Sequence, residues 1–111
     1  MRNVKAALVS DFLNTDKIKV SVEGKDVLIV KIDGEYYAVA NKCTHMGGSL
    51  FDGEIKDGHI VVCPRHHAEF DLKTGNAVKG AKMLLMNINV KNIKTYPVSV
   101  EGEDILVGMK D

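Results

Sequence analysis

The chain has 111 residues, with 15 basic and 15 acidic side chains and a formal net charge of zero. This length suits one domain with a modest core, and we expect a single domain over residues 1–111. Balanced charge excludes a global field that would attract nucleic acid or an anionic membrane. No run approaches the roughly 20 apolar residues of a membrane span, and AALVS is too short for a signal-peptide core, so the expected compartment is the cytoplasm.

Short runs rich in β-branched and aromatic residues predict six strands, in chain order 17–22, 26–32, 35–40, 59–62, 96–100 and 104–109. Asp-Gly pairs at 33–34, 52–53 and 57–58 are typical of tight hairpin turns, because these residues tolerate positive φ. Many short strands at close spacing predict an all-β fold, a small antiparallel sandwich or barrel. The segment 83–93 has apolar residues at mixed spacing, which leaves a helical turn, a strand and a covering loop open.

Two segments combine a cysteine with a histidine. They are Cys43-x-His45 and Cys63-x-x-His66, and 17 residues separate His45 from Cys63. Each segment follows a predicted strand, and strand ends are rigid places from which to aim ligands. A disulfide between the two cysteines is one interpretation, but a cysteine pair in a reducing compartment is more often a metal or redox site.

Two thiolates and two imidazoles suit either zinc or an iron–sulfur cluster. Zinc fingers usually place two cysteines in one short loop and two histidines in another. Here each segment supplies one cysteine and one histidine, which favours a two-iron centre. Glycines 47 and 48 would let the backbone approach a cofactor closely. Residue counting alone leaves His67 open as an alternative to His66.

These segments resemble the Rieske-type [2Fe–2S] proteins, whose pattern is C-x-H, a spacer of about this length, and C-x-x-H. CTHMGGSL at 43–50 is similar to the first cluster loop of that family, and CPRHHAEFDLKTG at 63–75 is similar to the second. YPVSVEGEDILV at 96–107 resembles the last hairpin of small Rieske ferredoxins. The resemblance therefore covers nearly the whole chain.

The resemblance implies one [2Fe–2S] cluster per chain. Cys43 and Cys63 would be the thiolate ligands of one iron, and His45 and His66 the imidazole ligands of the other. The implied fold is a Rieske-type antiparallel β sandwich or barrel with two cluster-binding loops. His67 stands where the family commonly has glycine, and it is either an exposed loop residue or a titratable group beside the cluster. Gly-Ala-Lys at 80–82 departs from the proline-containing cover that the family often has.

The resemblance also implies a reduction potential. A cluster with two histidine ligands is neutral when oxidised, so it accepts an electron more readily than an all-cysteine cluster. Rieske centres therefore lie at about −150 to +300 mV, against about −400 mV for plant-type clusters. High-potential respiratory relatives have Ser and Tyr hydroxyls where this chain has Ala68 and Phe70. Their additional disulfide cysteines match Gly48 and Arg65. We therefore predict a low potential of about −150 mV.

The implied function is that of a soluble one-electron carrier. It would pass electrons from a reductase to a terminal oxidoreductase or oxygenase, as the ferredoxin components of aromatic-ring dioxygenase systems do. We expect no enzyme activity, since the chain has no G-x-G-x-x-G and is too short for a second domain with mononuclear iron. We also expect a monomer without a nucleic-acid or membrane partner. Two alternatives remain, a Rieske-like small subunit of a nitrite-reductase type and a zinc-stabilised structural module.

Overall fold

The computed structural model describes residues 1–43, 48–65, 67–83 and 86–110, with the backbone alone for 81–83 and 86–88. In this part of the chain there are thirteen β-strands, two short 3₁₀ turns at Val9–Phe12 and Leu50–Asp52, and no α-helix. No helix there has the length and apolar character that a membrane crossing requires. The strands are β1 (Arg2–Leu8), β2 (Lys17–Val22), β3 (Lys25–Ile32), β4 (Glu35–Ala40), β5 (Ile55–Lys56), β6 (Ile60–Val62), β7 (Glu69–Asp71), β8 (Ala77–Lys79), β9 (Ala81–Met83), β10 (Met86–Ile88), β11 (Thr95–Tyr96), β12 (Val98–Glu101) and β13 (Asp104–Met109).

The described strands form four antiparallel sheets, so the predicted all-β antiparallel fold is confirmed. Their orders are β1-β13-β12, β11-β4-β3-β2, β5-β6-β7-β8 and the hairpin β9-β10. The strands predicted at 17–22, 35–40 and 104–109 have those bounds in the structure. The segment left open at 83–93 contributes strand residues to the β9-β10 hairpin.

The strand predicted at 96–100 is wrong as a single element. Pro97 divides it into β11, which pairs with β4, and β12, which pairs with β13 in another sheet. Proline lacks the N–H that a ladder needs, and its φ is fixed, so the chain leaves one sheet and joins the next at this residue. Its carbonyl still accepts a hydrogen bond from Gly108 at 2.8 Å.

β3 is buried on both faces, and this explains its nearly continuous apolar sequence. Leu28 and Val30 contribute to one core group, which also contains both cysteines. Val27 and Ile29 lie on the other face of β3 and contribute to a second group. Residues of β1, β4 and β13 complete that group. Successive side chains of a strand point to opposite faces, so one strand supports both cores. The central sheet therefore separates the cysteine side of the molecule from a second packed layer.

Two of the three predicted Asp-Gly hairpin turns are confirmed, and the third is wrong. Asp33-Gly34 and Asp57-Gly58 have positive φ at both residues, as a tight hairpin turn of this kind requires. The first is a two-residue connection between Ile32 and Glu35, and the second lies in a three-residue connection between Lys56 and Ile60. Gly53 instead has a φ of −85° at the end of a 3₁₀ turn. It is a glycine because an added Cβ would lie 2.0 Å from the carbonyl oxygen of Val62. Close packing of two backbones, not turn geometry, determines this residue.

Gly53→Ala is expected to lower the free energy of unfolding by about 2 to 4 kcal/mol, because a backbone segment must move to admit the methyl group. Gly58→Ala is the matched control. Gly58 has a φ of 79°, but nothing lies within 4 Å of its added Cβ, so the cost should be about 1 kcal/mol. Urea unfolding followed by circular dichroism measures both. Equal losses would contradict the packing explanation.

Candidate metal centre

The two cysteines lie at the ends of strands that belong to different sheets. β4 ends at Ala40 and leads through two residues to Cys43, whereas Cys63 directly follows β6. Their side chains are 3% and 1% exposed, and both belong to the same buried group. Both are thiols and not halves of a disulfide, so the disulfide interpretation is wrong. Two buried thiols converge on one core.

Gly48 brings the two cysteine segments together. Its carbonyl oxygen accepts a hydrogen bond from the Cys43 amide at 2.8 Å. A Cβ added to it would lie 3.3 Å from the Cys63 sulfur and 3.1 Å from Cγ of Arg65. Glycine therefore permits a close approach of the Gly48 backbone to the side chains of Cys63 and Arg65, while the predicted approach to a cofactor stays a prediction. Gly47, for which the same role was predicted, lies outside the described residues.

The loop that begins at Cys63 is closed by hydrogen bonds between its own ends. The Cys63 amide donates to the Ala68 carbonyl at 2.7 Å, and the His67 amide donates to the Cys63 carbonyl at 3.1 Å. His67 is exposed, as one of its two interpretations predicted, and it has a φ of 62°. Because this left-handed conformation favours glycine, it gives a physical reason for the glycine that Rieske-type loops commonly have here.

The two predicted histidine ligands, His45 and His66, lie outside the described residues. The described residues alone contain no group of three or more His, Cys, Asp or Glu side chains placed to hold a metal ion. What the structure does place is the cysteine half of the predicted site, together with the backbone on either side of it. The ligand set as a whole therefore remains a prediction.

Asn41 fastens the base of the first cysteine loop, and sequence reasoning missed it. Its buried amide donates to the Ser49 hydroxyl at 2.9 Å and accepts from the Phe51 amide at 2.7 Å. Its own backbone amide donates to the Asp26 carbonyl at 3.0 Å. These bonds join the end of β4 to the segment that follows the loop. Asn41 is two residues before Cys43, but an asparagine there is equally typical of an ordinary turn.

Asn41→Leu is expected to lower the free energy of unfolding by about 2 to 3 kcal/mol, because it leaves the Phe51 N–H without its acceptor. Ser49→Ala removes only one of the two side-chain bonds and should cost about 1 kcal/mol. Both variants keep the backbone bond to Asp26. Thermal or urea unfolding of the two variants measures the difference. A loss in Asn41→Leu no larger than in Ser49→Ala would show that the amide does not anchor the loop.

Ala68 and Phe70 lie fully buried in the core group that contains both cysteines. Phe70 faces Val61 across the β6-β7 ladder, and Ala68 bonds to Cys63 through its carbonyl. Neither side chain carries a hydroxyl, so neither gives the cysteine sulfurs a hydrogen bond. This placement supports the use of the two residues in the prediction of a low potential.

A buried carboxylate follows the second cysteine loop. Glu69 is 7% exposed, and its oxygens lie 2.7 Å from the Lys56 ammonium and 3.7 Å from that of Lys79. The hydrogen bond from Lys56 to this carboxylate raises the pKa of Lys56 above its usual value. The lysines belong to β5 and β8, and Glu69 belongs to β7 between them in the chain. The ion pairs therefore neutralise the carboxylate and tie three strands of one sheet together.

The donor chemistry of this region fits an iron–sulfur cluster. Thiolates are soft ligands that suit such clusters, and the side chain absent at Gly48 leaves room beside the Cys63 sulfur. A cavity of about 170 Å³ adjoins Cys63. Its lining residues are Asp52, Gly53, Glu54, Val62, Cys63, Pro64 and His67.

Comparison with known proteins agrees with this chemistry. The Rieske [2Fe-2S] domain profile matches residues 2–97. The ferredoxin component of the naphthalene 1,2-dioxygenase system of Pseudomonas putida is 35% identical over 106 residues, which are 96% of this chain and 94% of that protein. The biphenyl dioxygenase ferredoxin subunit of Pseudomonas sp. (strain KKS102) is 34% identical over 107 residues, 96% of this chain and 92% of that protein.

A solved structure shows the same fold. It is the ferredoxin of carbazole 1,9a-dioxygenase from Nocardioides aromaticivorans IC177, which superposes with a TM-score of 0.78 at 27% identity. The superposition covers 99% of this chain and all of that one. The family implies an iron–sulfur cofactor. With two buried cysteines at strand ends, a matching domain profile and relatives similar along almost their whole length, this chain belongs to the Rieske [2Fe-2S] domain family.

Proposed function

We propose that this chain is a one-electron carrier that passes electrons from a reductase to a terminal oxygenase or other oxidoreductase. The observation that carries the proposal is the end-to-end match with ferredoxin components. The alignment with the naphthalene dioxygenase component spans 96% of this chain and 94% of that protein. The match therefore spans almost the whole length of a protein that is named as a ferredoxin component. The carrier itself performs no substrate chemistry in this proposal.

The proposed cofactor is one [2Fe–2S] cluster per chain, with Cys43 and Cys63 on one iron and His45 and His66 on the other. The burial of both cysteines in one core group supports the thiolate half of this set. The family spacing supports the histidine half. When bound, such a cluster accepts and releases one electron. The residues of the chain hold it, exclude water from it and set its electrostatic environment.

The surroundings of the second loop support electron exchange at the protein surface. Pro64, Arg65 and His67 are exposed, so both neighbours of the proposed ligand His66 lie at the surface. On the inner side, Phe70 and Leu72 are fully buried in the cysteine core group. The second loop therefore has exposed residues on its outer side and a buried apolar core on its inner side. This arrangement suits a partner that approaches from the outer side of the loop. We propose the histidine edge as the port for the electron.

We also propose that residues 1–111 form one domain, that the protein is a monomer and that it works in the cytoplasm. The relatives reported above are ferredoxin components and subunits of dioxygenase systems. They favour an oxygenase as the electron acceptor over the nitrite-reductase alternative.

Stopped-flow mixing tests the proposal. The protein is reduced chemically and mixed with the oxidised terminal oxygenase of an aromatic-ring dioxygenase system, while the visible absorbance of both centres is followed. A carrier should transfer one electron equivalent per chain, and gel filtration of the same mixture should show a complex that dissociates on dilution. Failure to transfer electrons to any such oxygenase, together with purification in a stable large complex, would favour a fixed subunit.

A further inference from the structure

Lys17 begins β2 and reaches across to the segment that follows the first cysteine loop. Its part-buried ammonium donates hydrogen bonds to the carbonyl oxygens of Phe51 at 2.6 Å and Gly53 at 2.9 Å. The centre of the Phe51 ring lies 5.2 Å from the same nitrogen, within the range of a cation–π contact. Among the described residues, no carboxylate lies within ion-pair distance of this ammonium. Two carbonyl dipoles and an aromatic face hold the charge, and no carboxylate of the described residues neutralises it.

The segment that Lys17 holds packs directly against the strand that leads to Cys63. Gly53 lies so close to Val62 that an added Cβ would be 2.0 Å from the Val62 carbonyl oxygen. The Val62 amide donates to the Glu54 carbonyl at 2.8 Å. Gly53 and Cys63 also line the same cavity. A single backbone segment therefore connects the Lys17 ammonium to the residues beside the cysteine.

We propose that Lys17 is a positioning residue of the iron–sulfur centre, which holds the segment 51–53 against β6 and makes the cluster easier to reduce. This inference rests on the proposed function, because it needs a reducible centre at Cys43 and Cys63. Reduction adds one negative charge to the centre. A fixed, part-buried cation stabilises that charge more than an exposed lysine does, since solvent and salt screen the exposed one.

Three substitutions of Lys17 separate its charge from its hydrogen bonds. Lys17→Met removes both, Lys17→Gln keeps an N–H donor without the charge, and Lys17→Arg keeps both. Lys19→Met is the matched control, because it removes the same charge from the same strand. The Lys19 nitrogen lies 5.9 Å from the same Phe51 ring. Lys19 is exposed, and among the described residues it makes no hydrogen bond to the segment.

Redox titration of the cluster-loaded protein measures the charge effect. Lys17→Met should lower the equilibrium constant for one-electron reduction about three- to tenfold, which is about 30 to 60 mV. Lys17→Gln should shift it in the same direction, while Lys17→Arg and Lys19→Met should stay within about twofold of the unmodified protein. Added salt should weaken the small Lys19 effect more than the Lys17 effect.

Hydrogen exchange of the same samples measures the anchoring. The Asp52 and Gly53 amides donate to the Ser49 and Leu50 carbonyls. They should exchange at least about threefold faster in Lys17→Met and at an unchanged rate in Lys19→Met. If Lys17→Met does not fold, the contrast between Lys17→Gln and Lys17→Arg in the titration decides the question.

The outcomes distinguish this inference from the proposed function. A reducible iron centre with the same potential in Lys17→Met and Lys19→Met, or in Lys17→Gln and Lys17→Arg, overturns the role of Lys17 and leaves the carrier function intact. An unmodified protein without any reducible iron centre overturns the proposed function itself. Fast exchange and a lowered potential in Lys17→Met, with rescue of both by Lys17→Arg, establish the role.

Discussion

Cys63→Ala is expected to yield a protein with less than about a tenth of the iron of the unmodified chain, because a proposed thiolate ligand of the cluster is gone. The substitution removes a single sulfur atom from a side chain that is 1% exposed. The fold should therefore survive, and the circular dichroism of the variant should match that of the cluster-free parent. Iron and acid-labile sulfide analysis of the purified protein measures the loss.

His66→Ala and His67→Gly form the matched pair that tests the proposed histidine ligand of the second loop. His66→Ala should lose the cluster as Cys63→Ala does, whereas His67→Gly should keep its full iron content. Glycine adopts the left-handed φ of 62° at position 67 without strain, so stability should change by less than about 1 kcal/mol. Loss of iron in His67→Gly with retention in His66→Ala would identify His67, and not His66, as the ligand. It would also overturn the family spacing as a guide for this loop.

The unmodified protein is expected to have a midpoint potential of about −150 mV, and Ala68→Ser should raise it by about 30 to 60 mV. A hydroxyl donated to a cluster sulfur stabilises the reduced state, and a preference of the order of 1 kcal/mol for that state corresponds to such a shift. Ala68 is fully buried in the core group that contains both cysteines. A serine at position 68 would therefore place a hydroxyl donor close to Cys63.

Ala38→Ser is the control for this shift. Ala38 is also buried, but it belongs to the second core group, which contains neither cysteine. In Ala38→Ser the midpoint potential of the cluster should stay within about 10 mV of that of the unmodified protein, and only the free energy of unfolding should fall. A parent midpoint above about +100 mV, or equal shifts in the two serine variants, would refute the argument from missing hydroxyls.

Sequence patterns predict the parts of this fold that are local. β2, β4 and β13 have their predicted bounds, since each is a compact run of β-branched or aromatic residues. β1 was missed because its sequence RNVKAAL has little alternation, and its pairing with β13 joins the two ends of the chain. That strand is specified by a distant partner and not by its own composition.

The candidate site shows the same division. The spacing of the cysteine segments and the strands that precede them could be predicted from the sequence, because ligand chemistry dictates residue type. The residues that hold the loops were not readable, since Asn41 and Lys17 act through contacts 8 to 36 positions away in the sequence. Gly53 shows the same limit, because an Asp-Gly pair predicts a turn and only the packing against Val62 shows its purpose.

Pulsed EPR of the dithionite-reduced protein tests the central claim most directly, combined with iron, sulfide and zinc analysis of the same sample. A cluster held by Cys43, His45, Cys63 and His66 should give two irons and two sulfides per chain, about one unpaired spin, and hyperfine coupling to histidine nitrogen. Retention of this nitrogen coupling in His67→Gly would exclude His67 as its source. A colourless protein with one zinc and no reducible centre, or a spin without nitrogen coupling, would contradict the claim.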